Sequence, residues 1–451
     1  MKEVQIILRH AGTVLVGQLA VIAFGVADTV IAGRYSDTAL AALSVGSAIY
    51  ISVYVGLIGV IQALLPIWAQ MRGARQFHAV GQSVRQSLYL CALLGVAGMA
   101  VLLFPGPLLQ WADIPEAMQG EVRSYLAVLA LAFVPSLLFR LFSTLNQALG
   151  KPVLITWLQI GALAVKIPLS IWFVAGGAGL APQGAVGCAW ATLLVNYLLL
   201  LMAVLLLRSN SIYWPYQIWA RLQKPDWRQI AGFLRMGLPA GLSYMVEVTS
   251  LTLMALFIAR LGIVATASHQ IAANLAALLY MVPLSLAIAS SARVAYWIGA
   301  GEPAKARRIV GVALALSALS ASVLALLLWL LSQQIPTWYS RNPAVVLTAS
   351  SLLVWVALYH VADSLQAVCA FMLRCYRITL TPLVIYGVLL WGLGLAGGYF
   401  LAYVGSTAMP AAPMPGSFWS AATLALGAVA LSFLWLLRRA VHRPSQNTSP
   451  R

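Results

Sequence analysis

GLPAGLSYMVEVTSLTLMALFIARLG, residues 237–262, is an apolar run long enough to cross a bilayer, and it carries one carboxylate, Glu247, near its middle. At a rise of about 1.5 Å per residue, Glu247 lies about 15 Å beyond Gly237, at the midplane of a hydrocarbon layer about 30 Å thick. An ionised side chain at that depth costs about 2.5–3.5 kcal/mol or more. Such residues therefore usually face a bundle interior and mark an ion or substrate path. The rest of the sequence reads as the container for this acid.

The 451 residues are 62% hydrophobic and 8% charged, with mean hydropathy +0.91, whereas an ordinary globular domain is about 25% charged. This composition specifies a polytopic membrane protein. The apolar runs lack period-two alternation, so helices rather than a barrel satisfy the backbone. Twelve spans are predicted, at 11–32, 39–68, 86–108, 122–148, 153–175, 184–207, 236–259, 264–290, 308–332, 345–373, 378–403 and 417–437. In a soluble chain a net charge of +17 would suggest nucleic acid. Here the 27 Lys and Arg sit mainly in short loops: with the N-terminus inside, 21 fall inside, four outside, and Arg140 and Lys166 within spans. That asymmetry puts both termini in the cytoplasm and leaves the lipid bilayer, not nucleic acid, as the partner. Cys91, Cys188, Cys369 and Cys375 have no metal-ligand or redox spacing and read as packing thiols, so no cofactor is expected. The basic start and apolar run of residues 1–27 read as a retained first helix rather than a signal peptide.

The longest inside loop, Ser209 to Gln229, divides the sequence into an N-terminal six-helix bundle (1–208), a cytoplasmic linker (209–229), a C-terminal six-helix bundle (230–437) and a basic polar tail (438–451). Gly73-Ala74 and Gly299-Ala300 are 226 residues apart, as are Arg34 and Arg260. Six helices per half keep the orientation, so the expected fold is all-α, two bundles related by a pseudo-two-fold along the membrane normal, with a substrate cleft between them. The same offset sets Met254 opposite Asp28 and Val21 opposite Glu247, so the acids do not repeat.

Of ten acids, only Asp28, Glu247 and Asp363 fall well within spans. Asp363 lies eleven residues before Arg374, close to Glu247 in depth. Tyr359, four residues earlier, shares its helical face and is expected to hydrogen-bond the carboxylate or join it in ligating a cation. The alternative for either acid is a protonated structural residue bonded to a neighbouring helix. Asp28, a turn or so from the outer end at Arg34, has the alternative of reaching toward the headgroups. Lys166 and Arg140 read as cations paired with a carboxylate or snorkelling inward, and His269 and His360 as satisfied core histidines, with proton relay the lesser reading. Pro66, Pro135, Pro168, Pro239, Pro283 and Pro382 kink helices, Pro239 and Pro283 being candidate hinges. No nucleotide-binding loop or hydrolase motif is present, which leaves a gradient-driven transporter, not an enzyme, as the leading class.

At four segments the sequence resembles the multidrug and toxic-compound extrusion (MATE) family, in its bacterial NorM-type branch. These are GQLAVIAFGVADTVIAG with Asp28, FRLFSTLNQALGKP, FLRMGLPAGLSYMVEVTSLTLMALFIARLG followed by ASHQIAANLAALLYMVPLS, and ALYHVADSLQAVCAFMLRCYR. The resemblance implies a monomeric antiporter of the bacterial cytoplasmic (inner) membrane. It would export organic cations and amphipathic drugs in exchange for Na⁺ or H⁺ by alternating access. It implies a cation site, for Na⁺ where that is the ion, of Glu247, Tyr359 and Asp363, with Asp28 the acid of the N-terminal half and Gln18 nearby. Ser243, Ser250 and Gln366 are further candidates for the cavity. Three departures stand out. The usual helix 1 proline is missing around Thr13 and Val14, and asparagines common near the helix 5 proline are replaced by Lys166 and Ser170. A built-in cation at 166 is expected to weaken ion binding in that half. Also, His360 stands where a glutamine is common. The competing readings are a flippase for lipid-linked or polyisoprenyl substrates, which would want a basic cavity, and a non-transport membrane protein, for which no nucleophile or metal constellation is found.

Overall fold

The computed structural model describes residues 2–111, 115–177, 179–407 and 410–442. Asp113 and the tail from 443, with Arg443 and Arg451, lie outside them. Twelve helices among the described residues are long and apolar enough to cross a membrane. They are α1 (Glu3–Tyr35), α2 (Asp37–Gly73), α3 (Phe77–Leu103), α4 (Met118–Ala148), α5 (Pro152–Ala175), α6 (Gly184–Ser209), α7 (Trp227–Ala259), α8 (Ile263–Gly299), α9 (Pro303–Leu330), α10 (Pro343–Cys375), α11 (Leu380–Val404) and α12 (Pro415–His442). They carry the twelve expected spans, several running on past the apolar stretch, because a helix can continue as polar turns after leaving hydrocarbon. Start signals are local. Ser36 Oγ accepts the Ala39 N–H at 3.1 Å and Asn342 Oδ1 the Ala344 N–H at 3.0 Å, while proline occupies the first turn of α5, α9 and α10. α2 breaks at Ala63, and α11 widens from α to π over Gly387–Ala396.

The chain forms two compact units, Thr13–Gly241 and Met1–Gly12 with Leu242–Arg451. Within the first, α4 is the central helix and packs on α2, α3 and α6; within the second, α10 packs on α8, α9 and α12. Each partner is displaced by six helices, so the internal repeat seen in the sequence is also a repeat of packing.

The unit boundaries fall inside helices rather than in the polar loop, and particular contacts explain both. Gly237 and Gly241 lie against α2: a Cβ on Gly241 would stand 2.3 Å from the Gly56 carbonyl oxygen, so only glycine permits this approach. Residues 2–12 belong with the second unit, where Glu3 accepts two hydrogen bonds of 2.7 Å from the Arg293 guanidinium.

The 209–229 segment, the expected cytoplasmic linker, is strapped to α3. Arg85 Nη1 donates to the Gln217 carbonyl at 2.6 Å and Tyr89 Oη to that of Gln223 at 2.8 Å. Gln86 donates to the Lys224 carbonyl at 3.0 Å and accepts the Asp226 N–H at 2.9 Å. Tyr213, held by Asn146 Oδ1 at 2.7 Å, is buried, and burial pushes its phenol above the ordinary range, so it stays a donor. A Cβ on Gly81 would meet the Tyr216 carbonyl oxygen at 1.7 Å, which makes glycine a requirement of the strap.

Candidate functional site

In the second unit α7 supplies Glu247, α10 supplies Tyr359, Asp363 and Gln366, and α11 supplies Tyr386. Asp363 and Gln366 are three residues apart and so share a helical face. Gln366 Nε2 donates to Asp363 Oδ1 at 2.9 Å and reaches Glu247 Oε1 at 3.4 Å. The Tyr386 hydroxyl donates to Gln366 Oε1. That bond fixes the amide: its oxygen is taken by a donor, so its nitrogen must face the two acids. The two carboxylates are therefore brought together through Gln366. Among the described residues neither acid forms an ion pair.

Glu247 borders two small cavities. One, about 20 Å³, has room for a single water-sized occupant and is lined by Ser250, Met254, Tyr359, Leu390 and Gly394. Tyr359 borders this cavity and is braced edge-on by Trp419, with centroids 5.6 Å apart. The widened turns of α11 supply Leu390 and Gly394, and a Cβ on Gly394 would stand 3.2 Å from that of Ala425, so glycine keeps α11 close against α12. The second cavity, about 10 Å³, is lined by Ser243, Tyr244, Tyr280, Phe371, Arg374 and Tyr386. The Arg374 guanidinium lies over Phe371 at 4.4 Å and Tyr244 at 5.1 Å, so a positive charge faces the same space as Glu247. Glu247, Asp363, Tyr359 and Ser250 offer only oxygen atoms, the donor chemistry a hard monovalent cation prefers.

In the first unit Asp28 is buried rather than reaching for headgroups. Lys166 Nζ lies 2.9 Å from Asp28 Oδ2 and donates to Thr192 Oγ1 at 2.6 Å. Ser170, one turn after Lys166 on α5, donates to Asp28 Oδ1 at 3.1 Å. The acid is paired with a cation and a hydroxyl of the chain itself. Gln18 is ten residues earlier on α1, about 15 Å along the axis, and is not part of this cluster. Of the two expectations for Arg140, a carboxylate partner or snorkelling, no carboxylate partner is found among the described residues: its Nη2 donates to Gln62 Oε1 at 2.6 Å. His269 accepts from Trp419 Nε1 at 3.2 Å and is satisfied. His360 is not, since neither ring nitrogen has a partner among the described residues.

Sequence reading missed Tyr244, Tyr280, Tyr386 and Arg374. In the sequence Arg374 serves only to mark the depth of Asp363. For the tyrosines the available signal was a phenol recurring on α7, α8 and α11 at the depth of the acids, which becomes a pattern only once the helices are paired.

The sequence matches the MatE family profile twice, over residues 14–172 and 239–400. The chain belongs to the MatE family. A probable multidrug resistance protein NorM from Aromatoleum aromaticum is 39% identical over 438 residues, covering 97% of this chain and 94% of that relative. The multidrug resistance protein PmpM of Pseudomonas aeruginosa is 33% identical over 442 residues, covering 98% and 92%. The crystal structures of the Vibrio cholerae MATE transporter VcmN and the eukaryotic MATE transporter AtDTX14 share the fold, with TM-scores of 0.87 and 0.84 over 98% of this chain, at 15% and 18% identity. The two MatE matches begin 225 residues apart, close to the 226-residue offset read from glycine and arginine pairs. MatE proteins are membrane transporters of small organic molecules, not enzymes.

Proposed function

We propose that this MatE chain is an antiporter of the bacterial cytoplasmic membrane, working as a monomer with both termini in the cytoplasm. It exports organic cations and amphipathic drugs in exchange for Na⁺ or H⁺. The observation that carries the reading is the Glu247–Gln366–Asp363 cluster, two acids on one amide donor within an apolar bundle and no ion pair to either among the described residues. Two carboxylates so placed cannot both stay charged in a dry site unless a proton or a cation joins them. A cationic drug competes for the same negative charge, and this links drug release to ion entry under alternating access. Tyr359 and Ser250 add the oxygen atoms that a Na⁺ ion would need. NorM and PmpM are named as multidrug resistance proteins, which supports a drug-sized substrate.

The test is efflux of ethidium from proteoliposomes, first under an imposed Na⁺ gradient at equal pH and then under a pH gradient without Na⁺. Transport driven by at least one gradient, and lost in the Glu247→Gln, Asp363→Asn double variant, is the expected result. Undiminished transport by the double variant would sink the shared-site mechanism.

A further inference from the structure

We infer that the first unit holds a second site, for an anionic group, built by Arg140 of α4 with Gln62 and Tyr54 of α2. Arg140 lies eight residues before the end of α4 at Ala148, about 12 Å into the helix. A cation placed there normally pairs with a carboxylate or a set of carbonyls. Lys166, the other cation within a span, follows that rule through Asp28 and Thr192. Arg140 does not: among the described residues it has no carboxylate within ion-pair distance, and its one hydrogen bond is to Gln62 Oε1.

The donors left over point to the ligand. That bond consumes the only acceptor of the Gln62 side chain, and Gln62 Nε2 is left buried without a partner, as is Arg140 Nε. Gln62 is 3% exposed. Tyr54 stands two turns before Gln62 on α2, and its ring is held between Tyr50, stacked at 5.5 Å, and Phe133, edge-on at 6.0 Å. The cluster is thus a set of N–H donors with a net positive charge on a rigid aromatic wall. The break of α2 at Ala63, directly after Gln62, places the amide beside α4. Unsatisfied buried donors of this kind cost free energy that a bound acceptor recovers, most of all an anionic one. The chemistry fits a carboxylate on a substrate or a free monovalent anion such as chloride. If the occupant is a substrate carboxylate, the site widens the proposed substrates from cations to zwitterions.

Two measurements on the full-length protein in nanodiscs separate these sources. In the first, binding of a carboxyrhodamine and of its methyl ester is followed by fluorescence anisotropy. Arg140→Gln is expected to weaken the acid about tenfold and the ester less than about twofold, with Arg140→Lys between the wild type and Arg140→Gln for the acid. This arm rests on the transport reading. In the second, melting temperature is measured in chloride against gluconate with no dye present; a chloride-dependent rise in the wild type that Arg140→Gln removes assigns the site to a free anion whether or not the chain transports drugs. Acid-selective loss without a chloride effect assigns it to a substrate carboxylate. Equal loss of acid and ester together with no chloride effect in the wild type overturns the proposal and leaves Arg140 a packing residue. Should Arg140→Gln fail to fold, the wild-type chloride response and the Arg140→Lys selectivity give the same decision.

Discussion

The acids of the two units have opposite surroundings. Asp28 is held by Lys166 at 2.9 Å and Ser170 at 3.1 Å, so its charge is answered by the chain itself. Glu247 and Asp363 share only the Gln366 amide. The packing repeat around α4 and α10 shows that both halves use one architecture, yet the chemistry is concentrated in one of them. A duplicated fold fixes where helices meet. It does not fix which side chains are sent there, and Lys166 does in one half what a transported cation is proposed to do in the other.

The largest effect that would break this contrast is on transport. Glu247→Gln and Asp363→Asn are each expected to reduce proteoliposome efflux to the level of empty vesicles, while Asp28→Asn stays within about fivefold of wild type. Equal losses in all three would mean that Asp28 titrates or binds an ion during the cycle in spite of Lys166.

Stability supplies a second and smaller test. Lys166→Met leaves Asp28 buried and unpaired, which is expected to cost about 3–5 kcal/mol, read as a lower melting temperature in detergent. Adding Asp28→Asn should recover most of that loss, because neither charge then needs compensation. A double variant no more stable than Lys166→Met would show that the ion pair is not what Lys166 contributes.

A finer test sharpens the description of the second unit. Tyr386→Phe frees Gln366 to turn its amide, and about 1 kcal/mol lost from that hydrogen bond corresponds to a shift of about fivefold in the ion concentration for half-maximal efflux. No shift would show that Gln366 is oriented by the acids alone. The smallest effect concerns the strap: Gly81→Ala is expected to lower the melting temperature with efflux retained, since its Cβ collides with the Tyr216 carbonyl and the loop must lift.

Much of the architecture was legible without coordinates because hydrocarbon is a simple solvent. It demands long apolar helices and penalises buried charge, so span number, the internal repeat and the short roster of Asp28, Glu247 and Asp363 follow from hydropathy and spacing. The i, i+4 relation of Tyr359 to Asp363 was equally visible, but the Gln366 amide that bridges the acids was not, as that rule says nothing of residues on other helices. Whether an acid in a span is paired or open depends on contacts across 142 residues of sequence, as between Asp28 and Ser170, and no local pattern encodes them. The same holds for the strap of residues 209–229, whose polar composition reads as a solvated linker although its backbone carbonyls end on Arg85, Gln86 and Tyr89. The sequence by itself determined a twelve-helix membrane protein with acids at its midplane. Only tertiary packing decided that Lys166 closes one acid while Gln366 bridges the other two, since a hydrogen bond forms only between groups brought within about 3 Å, a distance that residues remote in sequence reach only when the fold brings them together.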